Sequence, residues 1–174
     1  MLTLSSFRRS LPTALPVLAV ALGISFALAG CEDDLDVGPR EGLRAPALDV
    51  ATLDGAGFAL NHAAGRPAVV VFWASWCGPC RKEAPEVAKV VQSYGTRVAV
   101  ISVNAGEDAT KARLAAKQWG ITWPVGLDTE RVAQSAWLVD ALPLVLVVDG
   151  EGVVRYRGNG MPTDIHRLLD GLLG

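Results

Sequence analysis

The chain has 174 residues, 51% hydrophobic, 20% charged and 6% aromatic, which allows one compact domain plus an appendage and excludes two large domains. A balance of 16 Lys and Arg against 18 Asp and Glu gives a formal charge of -2 with no basic run, so there is no electrostatic footprint for a nucleic-acid backbone. DNA and RNA are therefore not expected as partners.

The amino terminus reads as an address. Arg8 and Arg9 are the only charges before Glu32, and they precede an apolar stretch from Val17 to Gly30 set off by Pro12 and Pro16. That is the order of an export signal, and the stretch is short for a membrane span of about 20 apolar residues. It ends in Leu28-Ala29-Gly30-Cys31, which resembles the lipobox of bacterial lipoproteins, where the cysteine is lipidated and becomes the first mature residue. The alternative is an uncleaved signal anchor spanning Ser10 to Cys31. Both readings keep the two arginines in the cytoplasm and tether the rest outside it, in the bacterial cell envelope facing the periplasm. The expected organisation is a lipoprotein signal peptide over 1–30, an acidic flexible linker over 31–42 with lipidated Cys31, and one domain over 43–174. The lipid membrane is the first expected partner.

Within the domain, Ala47 to Leu53 alternates, Asp54-Gly55 signals a turn and Phe58 to Leu60 returns, which predicts a small N-terminal hairpin. The continuous run Ala68 to Trp73 predicts a central strand buried on both faces. Ala84, Val87, Ala88, Val91 and Tyr94 then recur at helical spacing up to Gly95. Arg97 to Val103 predicts a second strand. Glu107 to Trp119 reads as a helix with Glu107 and Lys111 paired at i,i+4. Trp123 to Leu127 reads as a short strand, and Thr129 to Trp137 as a helix capped by Thr129 or Asp128. Leu144 to Val148 and Val153 to Arg157 predict an antiparallel pair around Asp149-Gly150-Glu151-Gly152, and Pro162 to Leu173 a closing helix. The class is α/β, a central mixed sheet with helices on both faces.

The chemistry lies in two cysteines. Of the 3 in the chain, Cys31 belongs to the presumed anchor, leaving Cys77 and Cys80 in Trp76-Cys77-Gly78-Pro79-Cys80, after the buried strand and at the opening of a helix. Residues three apart at a helix start share a face and suit disulfide geometry. Unpaired N–H groups and the helix dipole should lower the pKa of Cys77 below the free value of about 8.5, making it the attacking thiolate. Cys80, one turn inside the helix, should be less exposed and resolve the mixed disulfide, while Pro79 presets the turn. A structural disulfide closing so short a loop restrains the unfolded chain little. Zinc would need further ligands, and His62 and His166 stand at no ligand-like spacing. A peroxidase would need a polarising group where Ala74 stands.

The segment Phe72-Trp73-Ala74-Ser75-Trp76-Cys77-Gly78-Pro79-Cys80-Arg81-Lys82-Glu83-Ala84-Pro85 resembles the active-site segment of thioredoxin-fold proteins, most of all the membrane-anchored TlpA/ResA-like branch. The resemblance runs from about Leu43 to the C-terminus and includes the hairpin, a central insert over Trp123 to Trp137, and Leu142-Pro143. It implies that Cys77 and Cys80 are the redox pair, that Trp76, Gly78 and Pro79 flank it, that Pro143 is the cis-proline facing it, and that Pro85 kinks the helix. Thioredoxin's proton-exchanging aspartate is replaced by Val71. The TlpA/ResA-like branch instead carries a glutamate three residues past the second cysteine, where Glu83 stands, and partial burial on the Cys80 side would suit it to proton exchange.

The expected activity is thiol-disulfide exchange in the reducing direction on disulfides of exported proteins, with a membrane electron donor as second partner. No organic cofactor or metal is expected, since two sulfurs store the electrons. A Cu(I)-binding module using Cys77 and Cys80, or a dithiol oxidant or isomerase, is the alternative. Trp119, Trp123 and Trp137 read as packing residues, His62 and His166 as surface residues, and Met161 alone makes no copper site.

Overall fold

The protein is described by a computed structural model over residues 36–60 and 65–174; the segment read as a signal peptide, Cys31 and His62 lie outside the described residues. The strands are β1 (Asp49–Thr52), β2 (Phe58–Ala59), β3 (Ala68–Trp73), β4 (Ala99–Ala105), β5 (Val125–Asp128), β6 (Leu144–Val148) and β7 (Val154–Gly158). They form one sheet in the order β2-β1-β5-β4-β3-β6-β7. The helices are α1 (Gly78–Tyr94), α2 (Ala109–Gln118), α3 (Val132–Ala136) and α4 (Ile165–Leu173).

Strand β3 is central because every one of its residues is apolar. It runs parallel to β4 and antiparallel to β6, with Val70 opposite Ile101 on one side and Leu146 on the other. The period of two in a strand sorts its side chains. Val70 and Phe72 join Ile101, Val103, Leu146 and Trp137 on one face of the sheet. Val69 and Val71 join Val87 and Val90 of α1 and Leu169 of α4 on the other. Most of these residues are fully enclosed, and each such side chain contributes about 1.5–3 kcal/mol by burial.

Helix α1 begins where Cys77 takes an extended backbone and Pro79 occupies the first turn, and it stops at Gly95, whose φ is 55°. A 3₁₀ turn over Gly95–Arg97 then delays the second strand to Ala99. Helix α2 starts at Ala109, not at Glu107, because the Asp108 carboxylate accepts from Thr110 N and Lys111 N, both at 3.0 Å. The predicted Glu107–Lys111 pair is therefore not formed; Lys111 pairs with Asp108 instead. Helix α3 is shorter than the predicted Thr129 to Trp137. Arg131 before it has φ 59°, and the first turn is held from further back by Asp128, which accepts from Ala133 N at 3.0 Å and Gln134 N at 2.7 Å.

The linker predicted over 31–42 also needs correction at its distal end. From Asp36 onward the chain is tied to the domain: Gly38 N donates to Arg44 O, Arg44 N to Asp36 O, and Gly42 N to Val154 O at 2.9 Å. Backbone pairing of this kind along β7 overrides a composition that reads as spacer.

Candidate active site

The site is built where β3 ends and α1 begins. Trp73 closes the strand, Cys77 N donates to Ala74 O at 3.0 Å, and this tight turn delivers Cys77 to the N-cap of α1. The Cys77 sulfur accepts a hydrogen bond from Cys80 N at 3.1 Å. A side chain in that position satisfies one of the unpaired donors of the helix start, and the helix dipole favours negative charge there. Cys77 and Cys80 form a disulfide with their Cα atoms 5.3 Å apart. Contrary to the expected difference, both cysteines are only 4% exposed in this oxidised state, because they sit in one apolar cluster with Trp73, Ala115, Ala116 and Val125. Access comes from the rim, where Trp76 is 72% exposed and Gly78 and Pro79 are also exposed.

Pro143 precedes β6, and its peptide bond with Leu142 is cis. Because Leu144 pairs with Phe72, Pro143 falls beside the cysteine-bearing end of β3, and Leu142 packs against the disulfide cluster. Glu83 is half-buried on α1, and its carboxyl accepts from Met161 N at 2.5 Å. It lines a small, partly open cavity together with Cys80, Val71, Trp73 and Ser102. Burial, and next the negative charge of Glu83, push the Tyr156 hydroxyl above its ordinary range. Pro85 lies inside α1.

The arrangement includes a residue that helical spacing pairs with Lys111. Glu107, 9% exposed on the segment between β4 and α2, accepts from Ser75 N at 2.7 Å, Ser75 Oγ at 2.6 Å and Asn104 Nδ2 at 2.9 Å. Burial alone would raise its proton affinity. The Ser75 and Asn104 hydrogen bonds and the charge of Lys111 outweigh that and hold the carboxyl below the ordinary glutamate range. The signal that could have found it was Asp108, a better N-cap than anything upstream, which places Glu107 outside the helix.

The remaining candidates have other places. Trp119 packs on Trp73 with ring centroids 4.9 Å apart, and Trp137 on Phe72 at 5.9 Å. Trp123 Nε1 donates to Ser102 Oγ at 2.8 Å. His166 is exposed and stacks on Tyr94, and Met161 is half-buried. Among the described residues, no three or more His, Cys, Asp or Glu side chains gather as a metal site.

Comparison with known proteins agrees with this geometry. The Redoxin family model matches residues 40–171. The chain is 32% identical over 140 residues to the thioredoxin-like protein YneN of Bacillus subtilis, covering 78% of this chain and 82% of that protein. It is also 32% identical over 125 residues to the thiol-disulfide oxidoreductase ResA of the same organism, covering 71% of this chain and 70% of ResA. The crystal structure of the thioredoxin domain of a thiol-disulfide oxidoreductase from Bacteroides vulgatus superposes with a TM-score of 0.69 at 22% identity, over 78% of this chain and 99% of that one.

Proposed function

Since the chain belongs to the Redoxin family and is a thiol-disulfide oxidoreductase of thioredoxin-like fold, we propose that it acts outside the cytoplasm as a membrane-tethered reductase of disulfides in exported proteins. The observation that carries the exchange chemistry is the hydrogen bond from Cys80 N to the Cys77 sulfur at the N-cap of α1, while the reducing direction rests on the residues between the cysteines. It favours a thiolate on the Cys77 sulfur of the reduced pair. Gly78-Pro79 between the cysteines is the pair found in thioredoxin, whose potential is about -270 mV, against about -120 mV for the oxidant DsbA.

In the cycle, the Cys77 thiolate attacks one sulfur of a client disulfide, forming a mixed disulfide and releasing the other client sulfur, which takes up a proton. Cys80 then loses its proton and attacks Cys77. The Cys77–Cys80 disulfide forms, and the second client sulfur leaves as a thiol. Two electrons have passed from the pair to the client, and a membrane dithiol donor returns them. Glu83, beside Cys80 in the small cavity, accepts the Cys80 proton in the resolving step. The cis Leu142-Pro143 segment offers its backbone to an extended client segment. No further cofactor takes part.

The address rests on Arg8, Arg9 and the apolar stretch ending at Cys31, where lipid would replace a membrane span. Among the described residues no helix is long and apolar enough to cross a membrane. By analogy with the TlpA/ResA-like branch, the client is a precursor of a c-type cytochrome or a protein that assembles an oxidase copper site. Replacing Cys80 by Ser in cells tests the reading, because the client should remain covalently attached to Cys77. Recovery of no mixed disulfide, or stoichiometric Cu(I) held by the pair with no disulfide reduction, would contradict it.

A further inference from the structure

Glu107 has no part in the cycle above, yet it is the only carboxylate in the described structure hydrogen-bonded to the loop that carries Cys77. Its geometry is fixed from two sides. Asn104 holds it from below, at the position paired with Trp73 in the β3–β4 register. Above, both donors of Ser75, the backbone N–H and the hydroxyl, are committed to it. Ser75 lies two residues before Cys77, inside the turn closed by the Cys77 N to Ala74 O bond. A negative charge is thus fixed to the turn that leads into Cys77, the residue that must itself become negative, and the Ser75 hydroxyl is committed to Glu107.

We infer that Glu107 is a positioning residue that sets the redox poise of the pair: through Ser75 it opposes the Cys77 thiolate and keeps the dithiol reducing. The inference rests on the reading of Cys77 as the attacking sulfur. In the couple, the disulfide takes up two electrons and two protons to give the dithiol, and ionisation of Cys77 further stabilises that reduced side. The helix N-terminus pulls toward ionisation, which by itself makes a couple oxidising. A fixed like charge pulls back. The other charged or titratable groups close in the chain to the pair or to Glu107 are Cys80, Arg81, Lys82 and Glu83 in the first turns of α1, Asp108 and its partner Lys111 at the start of α2, and Arg131, whose guanidinium lies against Gly106. The Arg and Lys side chains are exposed and screened, whereas Glu107 is buried.

The experiment is equilibration of the full-length protein with glutathione at pH 8, comparing wild type, Glu107→Gln and Glu107→Asp. Gln keeps the size and an acceptor but removes the charge, and should move the equilibrium about tenfold toward the dithiol, which corresponds to about 30 mV upward. Asp keeps the charge and should move it less than about twofold. An unmoved Gln variant, or equal shifts for Gln and Asp, would overturn the inference. Should Gln fail to fold, the wild type still decides. In the reduced ¹³C-labelled protein, the Glu107 carboxyl resonance should inflect at the titration midpoint of Cys77, and a flat trace through that midpoint overturns the proposal. Failure of the wild type to cycle with glutathione at all contradicts the reading of the pair, not this role for Glu107.

Discussion

Glu83 on α1 accepts a hydrogen bond from Met161 N at 2.5 Å, which ties the helix of the cysteines to the segment between β7 and α4 and leaves the carboxyl in the same small cavity as Cys80. Helical spacing of three residues puts the two side chains on one face, and the Met161 contact keeps the carboxyl there.

If Glu83 exchanges the Cys80 proton, Glu83→Gln slows the resolving step, by about a hundredfold where general base catalysis is fully lost, and leaves a pH profile that follows ionisation of Cys80 alone. Stopped-flow measurement of mixed-disulfide resolution across pH checks this. An unchanged pH profile removes Glu83 from the mechanism, even if the Met161 contact is lost and stability falls.

Acid stability should depend on Asp149 in the turn between β6 and β7. It accepts from Glu151 N and Val153 N and pairs with Arg155 at 2.6 Å. Burial pushes its proton affinity up, but the Val153 N–H, Arg155 and Glu151 N–H together bring the carboxyl below the ordinary aspartate value of about 3.9. A group depressed on folding stabilises the fold above its unfolded pKa, and that stability is lost as pH falls through the folded pKa. Urea unfolding from neutral pH to below about 4 should show a loss in wild type that is smaller in Asp149→Asn, which has no charge to lose. Parallel curves would contradict the assignment.

Packing on the α3 side should rest on Trp137. It is fully buried against Phe72, and its Nε1 donates to Ala47 O at 3.2 Å. Trp137→Ala should cost about 3–5 kcal/mol in chemical denaturation, with the reduction potential unchanged because the disulfide packs in a different cluster. A cost below about 1 kcal/mol would mean that the site collapses around the void.

If Cys31 carries the proposed lipid, wild type should take up labelled palmitate and Cys31→Ser should not, while thiol-disulfide exchange by the isolated protein is retained. A wild type that takes up no label would favour the uncleaved signal anchor.

Much of this was legible in the chain because strong periodicity survives tertiary context. The run Ala68 to Trp73 could hardly be anything but a buried strand, and its observed bounds coincide with the apolar run. Cys77 and Pro79 marked the start of α1 by the chemistry of helix caps. What escaped was decided by contacts distant in sequence. Glu107 reads as half of an i,i+4 helical pair with Lys111 until the fold brings Ser75, 32 residues earlier, to its carboxyl. Asp36 to Gly42 reads as spacer until Val154 supplies a backbone partner. The two cysteines are similarly buried in one cluster that includes Ala115 and Ala116 of α2, a packing between distant segments that no local pattern encodes.

The most direct test of the account is the titration of Cys77 in the reduced protein, followed by pH-dependent alkylation with peptide mass spectrometry to separate Cys77 from Cys80 and Cys31. The N-cap position predicts a midpoint below the free-thiol value of about 8.5, with Cys80 titrating higher. A Cys77 midpoint at or above that value, or Cys80 reacting first, would contradict it.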